Sequence, residues 1–142
     1  MKTLITDQKD RVALWVAQQL GGASTWSGAF NAIGVEHGGD LVAGVVVDRW
    51  IPGARCEVHL AGLGKTWINR GFMRAIADYC YTQLQCKVVI AVIAASNTAS
   101  QKFTKHVGFT EVCRIADAAP DGDLVMFALP RSNCRWMNLA VR

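Results

Sequence analysis

Apolar positions recur along the chain with two different spacings. Val12, Val16 and Leu20 form an i+4 row with Trp15 alongside, which predicts a helix over 7–20, capped by Thr6 or Asp7 and stopped at Gly21-Gly22. Phe30 to Glu36 and Leu41 to Val47 then read as strands, joined through His37-Gly38-Gly39-Asp40, a hairpin turn by composition. Asp48 to Arg55 is a second turn centred on Ile51-Pro52-Gly53. The strand expected next, Cys56 to Ala61, places Glu57 and His59 on one face and Cys56, Val58 and Leu60 on the other. The helical period returns with Ile68, Phe72, Ile76, Cys80 and Leu84, an unbroken row of core positions.

Val88 to Phe109 carries both regimes in one stretch. It opens as an apolar run suited to a strand buried on both faces. At Ala94-Ala95-Ser96-Asn97 a helical period takes over and lasts to Gly108. Asn97 is a good N-cap, since its side-chain oxygen can accept from an unpaired backbone N–H of the first turn. Gly108 suits the left-handed residue that ends a helix. This is a βαβ-type unit with a polar switch at the carboxyl end of its strand, where open α/β sheets bind ligands. Thr110 to Ala116 and Leu124 to Leu129 complete the pattern as two strands around Pro120-Asp121-Gly122-Asp123.

Composition narrows the class. A chain of 142 residues with 51% apolar residues fits one domain, 1–142, of which 131–142 is a C-terminal tail. A charged fraction of 18% argues against disorder. The net charge of +4 suits an anionic cofactor, an acidic substrate or weak nucleic-acid contact without choosing among them. Apolar runs stop well short of the roughly 20 residues a membrane span needs, and MKTLITDQKDR lacks a signal-peptide core, so a cytoplasmic protein without membrane contact is expected. Cys56, Cys80, Cys86, Cys113 and Cys134 show no CxxC spacing, and His37, His59 and His106 show no i,i+4 pair. Free thiols and no metal site follow. Lysines and arginines are scattered and no aromatic stacking platform is evident, which ranks nucleic acid last among partners.

Several residues remain as candidate chemistry. A carboxylate and an imidazole two apart on one face, Glu57 and His59, are unusual in so apolar a strand. Burial can lift a glutamate toward the operating pH, although pairing with an arginine would account for Glu57 equally well. Trp26 sits alone in the flexible GASTWSG segment, either as a packing anchor or as a pocket wall. Arg49, Trp50 and Arg55 cluster at the second turn.

Asn97-x-x-Ser100, Phe103 and Gly108-Phe109 resemble the closing motif of the GCN5-related N-acetyltransferases, the GNAT superfamily. Ser100 and Arg114 look more like the subgroup of ribosomal-protein N-terminal acetyltransferases and phage-encoded homologues. Leu41 to Val47 resembles that superfamily's hairpin arm, and the order of elements matches over roughly 5–130. The resemblance implies an α/β (α+β) fold: a mixed, mostly antiparallel central sheet flanked by helices. It implies acetyl-CoA as co-substrate and direct attack of an amine, from a protein N-terminus, a lysine or a small molecule. Glu57, alone or together with His59, would accept the amine proton, and a backbone N–H near His59-Leu60 would polarise the thioester oxygen. Leu60, Ala61, Arg70, Gly71, Asn97, Ser100 and Phe103 would hold the cofactor.

The chain departs from the family pattern at two places. The pyrophosphate loop is either His59-x-x-Gly62-x-Gly64 or, counting back from Asn97, Thr66 to Gly71, and the second is favoured. Many relatives carry a tyrosine as general acid seven residues after the Asn; here Thr104 stands there, leaving Ser100, Tyr79 or Tyr81 to substitute. These departures keep open an alternative, a non-catalytic interaction protein on the same fold that grips a host protein from the host cytoplasm if phage-encoded. The tail is open to three readings: packing on the sheet, mediating a homodimer, or fraying.

Overall fold

The computed structural model describes residues 2–21, 26, 28–64 and 69–137. Among the described residues, seven strands form one sheet in the order β1-β2-β3-β4-β5-β7-β6. They are β1 (Lys2–Ile5), β2 (Asn31–His37), β3 (Asp40–Ile51), β4 (Arg55–Gly62), β5 (Val88–Ala94), β6 (Thr110–Ala119) and β7 (Gly122–Pro130). All neighbours run antiparallel except β4 and β5, the one parallel pair. The helices are α1 (Lys9–Gln19), α2 (Arg70–Ala77) and α3 (Thr98–His106). The expected mixed, mostly antiparallel sheet flanked by helices is present.

Alternation along the strands sorts the core into two layers. Val45, Val47, Cys56 and Val58 join Phe72, Ile76 and Cys80 of the α2 side. Val46, Ala32 and Ala61 join Val12, Ala13 and Val16 of α1. Helix α1 lies unusually close to the sheet, because Gly34 and Gly44 oppose each other across β2 and β3. A Cβ on Gly44 would stand 2.8 Å from Val16 Cγ2, and one on Gly34 2.8 Å from Val12 Cγ2.

Four elements differ from the sequence expectation. Helix α1 starts at Lys9 after Gln8, without a side-chain cap from Thr6 or Asp7. Strand β3 continues through Asp48 to Ile51, so the expected turn shrinks to Pro52–Ala54. A bulge follows Asp48, where Arg49 takes φ +49°. Helix α2 widens to a π-helical turn over Asp78–Gln83, with Leu84 N–H donating to Tyr79 O at 2.9 Å. Strand β1 was not anticipated: its four residues alternate too briefly to register, and only Ile5 is buried.

The tail returns to the body of the protein. Cys134 is buried, Trp136 Nε1 donates to Val107 O at 3.1 Å, and Arg135 donates to His106 O at 2.9 Å. These bonds satisfy carbonyls at the C-terminal end of α3, with a cation placed where the helix dipole favours one. Residues 138–142 lie outside the described residues.

Candidate active site

The two parallel strands do not stay together. β4 and β5 pair from Arg55 to Glu57 against Val88 to Ile90, and no pairing follows beyond that point. The gap opens into two adjoining cavities. The smaller, about 210 Å³, lies between the strands and is lined by Val58, His59, Leu60, residues 91–94, Asn97, Ser100 and Thr104. The larger, about 780 Å³, shares Leu20, Leu60, Asn97 and Ser100 with it and runs out along Ala61, Gly62, Gly64, Lys102, Phe103 and His106.

Asn97 organises the α3 wall. Its side-chain oxygen accepts from Ser100 N–H at 3.1 Å, the capping bond expected of it. Gly108 ends the element at φ +115°. Between them Ala99, Lys102, Phe103 and His106 fall at i, i+3, i+4 and i+7, one face of the helix, and all four border the larger cavity. Lys102 and His106 were missed in the sequence, although that spacing from Ala99 points to both.

On the β4 wall, His59 and Glu57 share a face but have different partners. Glu57 Oε2 lies 3.3 Å from Arg49 Nε, and the residue borders neither cavity. His59 borders the smaller cavity, and its Nε2 lies 2.8 Å from Oδ1 of Asp48. The Trp26 ring stands 4.8 Å from the imidazole at 50°. Asp48, on the same face of β3, is only 1% exposed, and its Oδ2 lies 3.8 Å from Arg49 Nη1. Asp48 went unnoticed because Pro52-Gly53 drew the turn boundary too early. It continues the parity of Val46, which faces α1, and that was the signal available.

The remaining candidates divide by position. Leu60 and Ala61 border the larger cavity, as do Asn97, Ser100 and Phe103. Arg70 and Gly71 open α2, whose N-cap is Asn69, bonded to Phe72 N–H at 2.8 Å. They border neither cavity. The favoured loop lies partly outside the described residues, at 66–68, whereas Gly62 and Gly64 of the other candidate border the cavity. Of the three expected proton donors, Ser100 lines the smaller cavity, and Thr104, in the position of the missing tyrosine, lines it as well. Tyr81 does not: it is buried on the α2 side, its hydroxyl donates to Leu129 O, and burial pushes its pKa far up. Tyr79 packs against that same core.

The five cysteines are free, four of them buried and Cys113 exposed. Cys80 beside it and burial drive the Cys56 thiol far up, and burial with neighbouring Cys56 pushes Cys86 up to about 12. Such thiols are inert packing groups. Among the described residues no cluster could hold a metal ion, and no helix is long and apolar enough to cross a membrane.

Comparison with known proteins adds the family. The acetyltransferase (GNAT) domain model matches residues 5–110, from the end of β1 to the start of β6. The chain belongs to the GNAT acetyltransferase family. It is thus an acetyl-CoA-dependent N-acetyltransferase, since GNAT acetyltransferases use acetyl-CoA as co-substrate. No curated protein matches the sequence. Mutant forms of the spermidine/spermine N-acetyltransferase SpeG from Vibrio cholerae superpose with TM-score 0.75 at 15% identity, covering 99% of each chain. SpeG in complex with manganese ions gives 0.74 at 15%, covering 98% of this chain and 96% of that one. A probable acetyltransferase gives 0.64 at 17%, with 81% and 67% covered. At these identities the likeness shows the fold.

The cavities suit acetyl-CoA chemically. The slot beside β4 has backbone without a β5 partner beyond Glu57, apolar walls at Leu60, Ala61 and Phe103, and polar groups at Asn97 and Ser100. Lys102 stands on the outer wall, where an anionic group is best received.

Proposed function

We propose that this acetyltransferase passes the acetyl group to a primary amine that reaches the smaller cavity from the Trp26 and Arg49 side, with His59 as general base. The observation that carries this reading is the placement of His59 on the cavity wall, while Glu57 is turned to Arg49. An ammonium must lose a proton before its nitrogen can attack, and an imidazole is suited to take it around neutral pH. Acetyl-CoA supplies an activated acyl group as a thioester. Backbone N–H of β4 beyond Glu57, around Leu60, would stabilise the carbonyl oxygen as charge develops there.

As the C–N bond forms, the C–S bond breaks, and the thiolate takes up a proton. Ser100 and Thr104 are the hydroxyls lining the cavity that can relay it. Leu60, Ala61, Asn97, Ser100 and Phe103 would hold the pantetheine arm. Lys102, with Gly62 and Gly64 beside it, would meet the phosphates, and Arg70 and Gly71 would contribute from the mouth of α2.

Two acceptor classes have support. The SpeG fold likeness favours a polyamine, and the Asn97, Ser100 and Arg114 pattern favours a protein α-amine. Incubation with labelled acetyl-CoA and a panel of spermidine, a peptide α-amine and a lysine-containing peptide, read by intact mass, tests the proposal. Label on at least one amine, lost in His59→Gln, is expected. Label undiminished in His59→Gln would overturn the assignment of the base.

A further inference from the structure

We propose that Asp48 is a positioning residue for acetyl transfer, fixing the His59 imidazole with Nε2–H toward the carboxylate and Nδ1 as the proton acceptor. The inference rests on the reading of His59 as the base and adds the residue that sets its tautomer. A carboxylate acceptor 2.8 Å from Nε2 requires a hydrogen on that nitrogen, so a neutral ring has its lone pair on Nδ1.

Asp48 lies too deep to be a solvated charge of the surface. Asp48 follows Val45, Val46 and Val47 in β3 and is 1% exposed. Withdrawing a carboxylate that far from water is costly unless its oxygens are bonded. The adjoining positions of this face, Val46 and Ala61, meet the packing requirement with apolar side chains. A fold needing only cohesion here would be served as well by an apolar pair.

The backbone is also shaped around this residue. The β3 bulge begins at Asp48, and Arg49 within it holds φ +49°, a strained conformation for a side-chain-bearing residue. That bend brings the guanidinium over both carboxylates, 3.8 Å from Asp48 Oδ2 and 3.3 Å from Glu57 Oε2. The Trp26 ring packs against the imidazole in a tilted contact, at 4.8 Å and 50°. The imidazole is thereby held by a bond in its plane and an aromatic contact.

The charge balance is consistent with proton transfer. The ammonium gives a proton to Nδ1, its nitrogen lone pair becomes available to the acyl carbon, and the imidazolium formed faces the Asp48 carboxylate. Among the described residues, the charged groups around His59 are Asp48 and Arg49 on β3 and Glu57 on β4. The β5 and α3 walls of the smaller cavity contribute apolar side chains with Asn97, Ser100 and Thr104.

The test joins spectroscopy to kinetics. In wild-type protein, 15N NMR of the histidine ring nitrogens should show neutral His59 as the Nε2–H tautomer; an Nδ1–H ring would overturn the inference without any assay. Asp48→Asn offers an N–H where the carboxylate accepted, and should drive the ring to Nδ1–H. With acetyl-CoA and the fastest amine of the panel above, it should lower kcat by roughly 100-fold or more, leaving KM for acetyl-CoA within about twofold. Adding Asp48→Asn to His59→Gln should cost nothing further. Wild-type kcat in Asp48→Asn, or losses that multiply in the double variant, would refute a positioning role. Should Asp48→Asn fail to fold, Asp48→Glu with the wild-type spectrum decides instead: retained Nε2–H with partial activity supports it, and unchanged kcat with an altered tautomer sinks it. If wild type labels no amine, the base assignment fails, and the spectrum still reports the tautomer.

Discussion

Two faces of one sheet, reached by alternate residues of the same strands, have opposite characters. Toward α2, Cys56 and Val58 of β4 meet Phe72, Ile76 and Cys80 in a layer where every contact is cohesive. Toward α1, Glu57 and His59 of that strand meet Arg49 and Asp48, and the layer there combines close helix packing with charge. A period of two lets four consecutive residues serve both requirements without compromise. Stability should therefore respond chiefly to the first face and turnover to the second.

The sharpest test of that division is His59→Gln. It should lower kcat by about 10²- to 10⁴-fold, the usual contribution of a general base, while the denaturation midpoint moves little. A comparable loss of folding stability would erase the distinction. On the other face, Phe72→Ala removes a fully buried ring and should cost roughly 3–5 kcal/mol in urea denaturation. Below its melting range the variant should keep most of its kcat.

Gly44→Ala probes where the faces meet the helix. Its new Cβ would stand 2.8 Å from Val16 Cγ2 and 3.0 Å from Val12 Cγ1, so a loss of about 1–3 kcal/mol is expected in the same measurement. Asn97→Ala should cost about 0.5–2 kcal/mol through the lost cap. It should also weaken acetyl-CoA affinity by calorimetry, because Ser100 and Phe103 follow it on α3.

The smallest effect belongs to the thiols. Cys86 is raised from 9.0 to about 12, so the folded protein keeps a proton that the unfolded chain loses above about pH 9. Stability should fall as pH climbs from about 9 toward 12, seen as a lower urea midpoint at about pH 10.5 than at about pH 8. Cys113 alone among the five should react quickly with a thiol reagent in the native state.

Legibility followed the strength of the local pattern. The Asn97 cap, the Gly108 stop and the face shared by Glu57 and His59 were readable because each depends on neighbours within a few residues. Asp48 was not, since its meaning comes from a histidine eleven positions later on another strand. An arginine partner for Glu57 was legible as one of its two roles, but the bulge that turns Arg49 back over it was not. The π-helical turn that continues α2 was hidden for a different reason: an i+4 row of apolar residues runs through it without a visible break.

The bonds from Arg135 and Trp136 to the end of α3 give the last segment of the chain a grip on the helix that walls the cleft. Binding energies at the two ends of one helix are thermodynamically linked, and such linkage is reciprocal. A ligand that orders α3 from its Asn97 end would protect the tail from proteolysis. By the same relation, a tag, truncation or antibody that pulls the tail away would weaken that ligand by the same factor.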